Sequence, residues 1–259
     1  MTNSFRFMMA VVLFTSLTIQ CKKKEDVIAN NPIIPAATKG TVQMNVRAYS
    51  GTSPLVYGNT YTNANNDQFK VSLFRYYLSN IVLLGDGSTP DYVQPESYHL
   101  VDHGSAGASY QIKLDSVPNG TYKGIKFLIG VDSLRNVSGA QSGALDPANG
   151  MFWTWNSGYI QFKLEGTTIS TAANFIYHIG GYKGIYSAVK EVTILFPASK
   201  LQMAGLTKKL NLDSDVQEVF KNPVVWEIDA MRNVSSEGTT AKTIADNYAD
   251  MIRFNSITN

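Results

Sequence analysis

The sequence predicts an all-β fold: an antiparallel β-sandwich, or a barrel, with long loops and one or two short helices. Three observations carry this. Apolar residues recur with period two in about eight or nine short stretches, the repeat of half-buried strands rather than of helices. Gly, Pro, Asn and Asp stand between those stretches as turn formers. Charged residues make up only 16% of the chain, while Asn, Ser, Thr, Gly and Tyr are plentiful, which suits an exported β-protein with polar loops.

The strands follow in order. Val42, Met44, Val46 and Ala48 alternate with Gln43, Asn45 and Arg47. Asn65-Asn66-Asp67 reads as a turn flanked by Tyr61 and by Phe69 to Leu73. Ile81 to Leu84 is a short apolar run stopped by Gly85-Asp86-Gly87, and Tyr98 to Val101 is another candidate. Ser109 to Leu114 alternates, Val117-Pro118-Asn119-Gly120 turns, and Thr121 to Val131 returns, which predicts a hairpin. In the return strand Ile125, Phe127, Ile129 and Val131 share one face. Ile160, Phe162 and Leu164, then Phe175 to Ile179, then Val189 to Phe196, complete the set. Two helices are expected. Ser214-Asp215-Val216-Gln217 fits a capping box, and Ile244, Tyr248, Met251 and Ile252 fall on one helical face.

The 259 residues divide into three regions. Residues 1–20 read as a secretory signal: Arg6 supplies the positive start, and Phe7 to Leu17 is an apolar run too short to span a bilayer. Cys21 is the sole cysteine, so no internal disulfide can form. Leu17-Thr18-Ile19-Gln20-Cys21 loosely resembles a bacterial lipobox, which makes Cys21 the lipid attachment site. The following Lys22-Lys23-Lys24-Glu25-Asp26 looks like the charged segment of a surface lipoprotein. Residues 21–39 are then a lipidated tether, and residues 40–259 the folded domain, held at the outer membrane or cell surface by acyl chains.

Net charge is +2, which offers no electrostatic case for nucleic acid. Gly150-Met151-Phe152-Trp153-Thr154-Trp155-Asn156-Ser157-Gly158-Tyr159 holds two of the three tryptophans. On one flat strand, Trp153 and Trp155 would oppose the apolar face of Ile160, Phe162 and Leu164. Either a bulge near Gly158 swaps the faces, or the indoles point into a loop-covered cleft or toward solvent. Core packing, stacking on a flat ligand and redox or metal chemistry all remain open for them. The three histidines, His99, His103 and His178, show no metal-type spacing. No Gly-x-Ser-x-Gly elbow is present, so the chain is not expected to be an enzyme. The Asp213-Ser214-Asp215 segment is a candidate calcium loop.

The order of several segments is more specific than any one of them. Tyr76-Tyr77-Leu78-Ser79-Asn80-Ile81, Tyr98-His99-Leu100-Val101-Asp102, Gly130-Val131-Asp132, Asp146-Pro147, the Trp-x-Trp-x-x-Gly-Tyr block, Lys163-Leu164-Glu165-Gly166 and His178-Ile179-Gly180-Gly181 together resemble the MbnP-like copper-binding protein family. The likeness covers about residues 40 to 255. It implies an exported β-sandwich that holds Cu(I) with two histidines and a kynurenine, an oxidised tryptophan. It also implies a di-haem MauG-type peroxidase as the partner that oxidises the indole. An intact indole N–H has no free lone pair; opening the ring yields an arylamine and a carbonyl. Carried onto this chain, Trp153 is the first candidate for modification and Trp155 the second. His178 is the first ligand candidate and His99 the next. Relatives place a histidine two residues from the modified tryptophan, where this chain has Met151 and Trp155; a Met151 thioether is a donor suited to Cu(I). The expected function is copper uptake or storage outside the cell. The alternative is a non-catalytic surface module that binds a glycan or another protein through exposed aromatics.

Overall fold

The protein is described by a computed structural model covering residues 39–259 except 105–108, 140, 157 and 198–199. The signal segment, Cys21 and the tether through residue 38 lie outside the described residues. Strand β1 (Lys39–Ser50) follows its sequence pattern: Val42, Met44, Val46 and Ala48 are buried, and the residues between them are half-buried. Short β2 (Ser53–Pro54) folds back on its end, and β3 (Thr60–Thr62) leads into β4 (Gln68–Gly85).

The two apolar runs in 68–85 are one strand of 18 residues. Its inward positions change parity twice: Phe69 and Val71, then Phe74, Tyr76 and Leu78, then Ile81 and Leu83. Each change coincides with a register shift against a neighbour, near Ser72 and near Asn80. Asn80 adopts a φ of 54°. An extra residue in a strand turns every later side chain to the other face, so the alternation breaks although the strand continues.

Next come β5 (Tyr92–Val93), β6 (Tyr98–Asp102), β7 (Tyr110–Pro118) and β8 (Gly120–Ile129). The predicted hairpin is not formed. β7 pairs with β1, whereas β8 pairs with β4 and with later strands. The Pro118–Gly120 turn therefore carries the chain from one sheet to the other. Both strands alternate and both bury one face, so the sequence pattern fits facing strands as well as paired ones.

After helix α1 (Ser133–Asn136) the chain forms β9 (Phe152–Trp153), β10 (Gly158–Tyr159), β11 (Phe162–Thr168), β12 (Asn174–Ile179) and β13 (Lys190–Leu195). Then follow β14 (Leu201–Met203), β15 (Thr207–Asp215), β16 (Asn233–Val234), helix α2 (Thr239–Tyr248) and β17 (Ile252–Thr258). One sheet runs β17-β15-β1-β2, with β7 on β1; the other runs β13-β8-β4-β11-β12-β16, with β3, β5, β6 and β14 attached. Most pairs are antiparallel, and β1–β15 and β12–β16 are parallel. The main core lies between the sheets.

Both expected helices are shifted. Ser214 lies within β15, and Asp215, its last residue, caps a 3-10 turn at Val216–Phe220, accepting from Gln217 N. α2 buries Ile244 and Tyr248, with Tyr248 stacked on Phe162 at 4.7 Å. Met251 and Ile252 lie past its end, and Ile252 opens β17. No helix among the described residues is long and apolar enough to cross a membrane.

Candidate functional site

The aromatic doublet is built as a tight reversal. β9 and β10 pair antiparallel, Trp153 opposite Gly158 and Phe152 opposite Tyr159. The chain turns back between them, so residues 151–165 are not one strand and the parity conflict disappears without a bulge. Ile160 N then donates to Met151 O at 2.9 Å, tying the hairpin base.

The hairpin covers the outer surface of the larger sheet. There, Tyr77, Val131, Leu145, Met151, Trp153, Tyr159 and Ile160 form a second apolar cluster, separate from the core between the sheets. β8 and β11 meet end to end beneath it at Tyr77, whose O accepts from Gly130 N and whose N donates to Gln161 O. Buried Gln161 closes the joint, its Oε1 accepting from Val131 N at 2.7 Å. Tyr159 OH donates to Leu145 O and Tyr77 OH to Ala144 O, which clamps the 141–150 loop over the cluster. Asn136, on α1, accepts from Tyr159 N and donates to Val131 O and Asp132 O.

The two indoles have different environments. Trp153 is 7% exposed and Trp155 66%. Their ring centroids are 5.2 Å apart at 38°. The Trp153 ring lies directly on Gly180: a Cβ there would stand 2.2 Å from Cζ3 and 2.6 Å from Cη2. Gly180 follows His178 by two residues, one past the end of β12 at Ile179, ~6.6 Å along an extended chain. Trp153 thus rests just past the end of the strand that presents His178 on the outer face.

His178 is flanked by charge. Its Nε2 is 2.7 Å from Glu165 Oε1. Burial holds the imidazole below its ordinary pKa, against the opposing pull of Glu165 and with Lys163 assisting. In the neutral ring, donation from Nε2 to the carboxylate leaves Nδ1 with the lone pair. Lys163 stands opposite His178 in register, its ammonium donating to Gly150 O at 3.1 Å. Arg75 stands opposite Lys163 and pairs with Asp102 at 2.8 Å.

His99 is not brought to this place. It pairs with Leu78, which faces the core between the sheets, whereas the row holding His178, Lys163 and Arg75 faces outward. Its Nε2 lies 2.9 Å from Gln94 Oε1, and burial lowers its pKa to about 4. His103 also faces inward; it is fully buried, with Nε2 3.2 Å from Tyr76 OH. The structure therefore brings His178, Trp153 and Met151 to one side of the sheet and leaves His99 on the other. No group of three His, Cys, Asp or Glu residues that could hold a metal occurs among the described residues. Asp213-Ser214-Asp215 is the end of a strand, not a loop. Asp213 pairs with Arg47, and Asp215 with Arg253, so these carboxylates are already neutralised.

Glu165 and Gly180 have no role legible in the sequence taken residue by residue. The available signal was the spacing: a glycine two residues beyond a strand histidine leaves a flat place just past the strand's end.

Comparison with known proteins gives three findings. A family model described as MbnP matches residues 39–240. Among solved structures, the chain is similar to MbnP from Methylosinus trichosporium, at 12% identity over 78% of this chain and 81% of that one, with a TM-score of 0.45. No curated protein matches.

Proposed function

Since residues 39–240 fit the family model, the chain belongs to the MbnP family, and we propose that it is a non-catalytic Cu(I)-binding protein held at the cell surface by lipid on Cys21. The reading rests on one observation: the Trp153 ring lies on Gly180, two residues beyond His178 and just past the end of the strand that carries it. The donor chemistry suits Cu(I). His178 is a neutral imidazole whose second nitrogen is held by a carboxylate, the arrangement that orients metal-bound histidines. Met151 supplies a soft thioether from the adjoining cluster. Oxidative opening of the Trp153 indole would supply the further nitrogen and oxygen donors, and a di-haem MauG-type peroxidase is the partner that would carry it out. The seat holds one histidine where the sequence resemblance implies two, because His99 faces the opposite side of the sheet.

The test is a Cu(I) titration against a competing chelator, with protein from its native host whose intact mass has been measured. His178→Ala is expected to lose at least tenfold in affinity, and His99→Ala to match the unmutated protein. Retention of copper by His178→Ala, or no copper uptake together with an unmodified Trp153, overturns the proposal. Exposed Trp155 supports a second reading, a module that stacks on a glycan or a partner protein. A glycan screen that scores with the unmutated protein and fails with Trp155→Ala would favour that reading.

A further inference from the structure

A polar cavity of about 290 Å³ opens beyond the 141–150 loop, lined by Glu96, Tyr98, Arg135, Gln141, Ser142, Ala144 and Leu145. Its one cation is held ready. The Arg135 guanidinium lies over the Tyr98 ring, 4.9 Å from its centroid, and donates from one end to Gln141 Oε1 at 3.2 Å. The ring beneath is itself fixed, because Tyr98 OH donates to Asp132 Oδ2 at 2.5 Å. A planar guanidinium stacked and anchored in this way is preorganised for a two-oxygen acceptor.

The acceptor now in place is Glu96, which pairs with the other end of Arg135. That partner is loosely held. The Glu96 side chain is 81% exposed, and its backbone has a φ of 44°, in the left-handed region that a residue with a side chain adopts at a cost. Exposed ion pairs contribute little. Glu96 therefore occupies the guanidinium weakly, from strained backbone, at the mouth of a cavity that it does not fill.

We infer that this cavity binds a small monocarboxylate of about monosaccharide size, such as a hexuronic acid, whose carboxylate displaces Glu96 from Arg135. The Ser142 hydroxyl stands on the wall available to ligand hydroxyls, Leu145 supplies apolar floor, and the Gln141 amide is held by Ser138, Gly139 and Arg135. Charge restricts the class. The group that leaves Arg135 is the singly charged, planar carboxylate of Glu96, so the occupant that replaces it one for one is a monocarboxylate and not a dianion such as phosphate, while a neutral sugar cannot replace a carboxylate on the guanidinium.

The experiment titrates the intact protein by calorimetry with glucuronate, glucose and inorganic phosphate, with Glu96→Ala and Arg135→Gln beside the unmutated chain. Glucuronate is expected to bind, glucose and phosphate not. Glu96→Ala should bind glucuronate more tightly by about fivefold, the size of one exposed ion pair removed. Arg135→Gln should abolish binding. If glucuronate fails to bind Glu96→Ala, binds it no more tightly than the unmutated protein, or binds no better than glucose, the inference is overturned. Glu96 is exposed and its replacement is not expected to disturb folding, so this arm decides even if Arg135→Gln unfolds. The copper titration is independent of this outcome.

Discussion

Replacing Gly180 by Ala tests the geometry on which the proposed copper seat depends. The added methyl would sit 2.2, 2.6 and 3.1 Å from three carbons of the Trp153 ring. Carbon pairs are at their optimum near ~3.5 Å, so the ring must retreat by about 1.3 Å. It has little room to do so. Trp153 is almost fully buried in its cluster, and Trp155 packs against it, tilted by 38° with ring centroids 5.2 Å apart. The backbone of Gly180 is not in the left-handed region, so the cost is steric and not conformational. Overpacking of this kind costs roughly 1–3 kcal/mol. Urea unfolding measures the loss, and near-UV circular dichroism reports the Trp153–Trp155 coupling. The expected result is a lower midpoint with an altered aromatic band. A variant within about 0.5 kcal/mol of the parent, with the aromatic band unchanged, would mean that the indole does not rest on Gly180, and the His178–Trp153 neighbourhood would go with it.

The remaining expectations can be measured with the same unfolding assay. Trp153→Ala should cost about 3–5 kcal/mol, while Trp155→Ala, at an exposed site, should stay within about 0.5 kcal/mol; equal losses would contradict the division into a buried and an exposed ring. His99 should make stability depend on pH. Its folded pKa is depressed to about 4 from an ordinary 6.5, so the unfolded chain binds the proton first and stability falls as pH drops from 6.5 toward 4. The upper limit is about 3 kcal/mol at the acid end, reduced by screening because the ring is partly exposed. His99→Gln should flatten that part of the profile, and an unchanged slope would show that the ring is not held neutral by burial.

How far the fold could be read in advance depended on whether alternation survives within each strand. β1 has an uninterrupted period of two, and its buried residues are the ones the sequence indicates. β4 carries the same signal broken twice by extra residues, so one long strand looks like two short ones. β7 and β8 show a different ambiguity. Alternation reports which face of a strand is buried, and it is silent on whether the next strand lies beside it or across the core. Only pairing with β1 and β4 separates the two cases. The Asp215 cap was one residue from the expected Ser214 because both types can cap. The strand outcompetes the helix for Ser214, whose partner Ala48 lies on β1.

The candidate site was legible as a set of segments and not as a constellation. Trp153, Met151 and His178 are found together, yet nothing in their sequence spacing demands it, since 25 positions separate Trp153 from His178. What joins them is Gly180, where the missing side chain lets the Trp153 ring close on the backbone just past β12. His99 shows the converse. Its strand parity follows that of Val101 and His103, both fully buried. Once β6 is paired with β4, that parity directs the imidazole to the core side. Residue type nominates a ligand, but in a sheet the parity decides which side of the wall it occupies. A second histidine for Trp153 would have to come from an outward position, and Lys163, opposite His178 in register, is such a place. Lys163→His would put a second imidazole on the correct face without moving a strand.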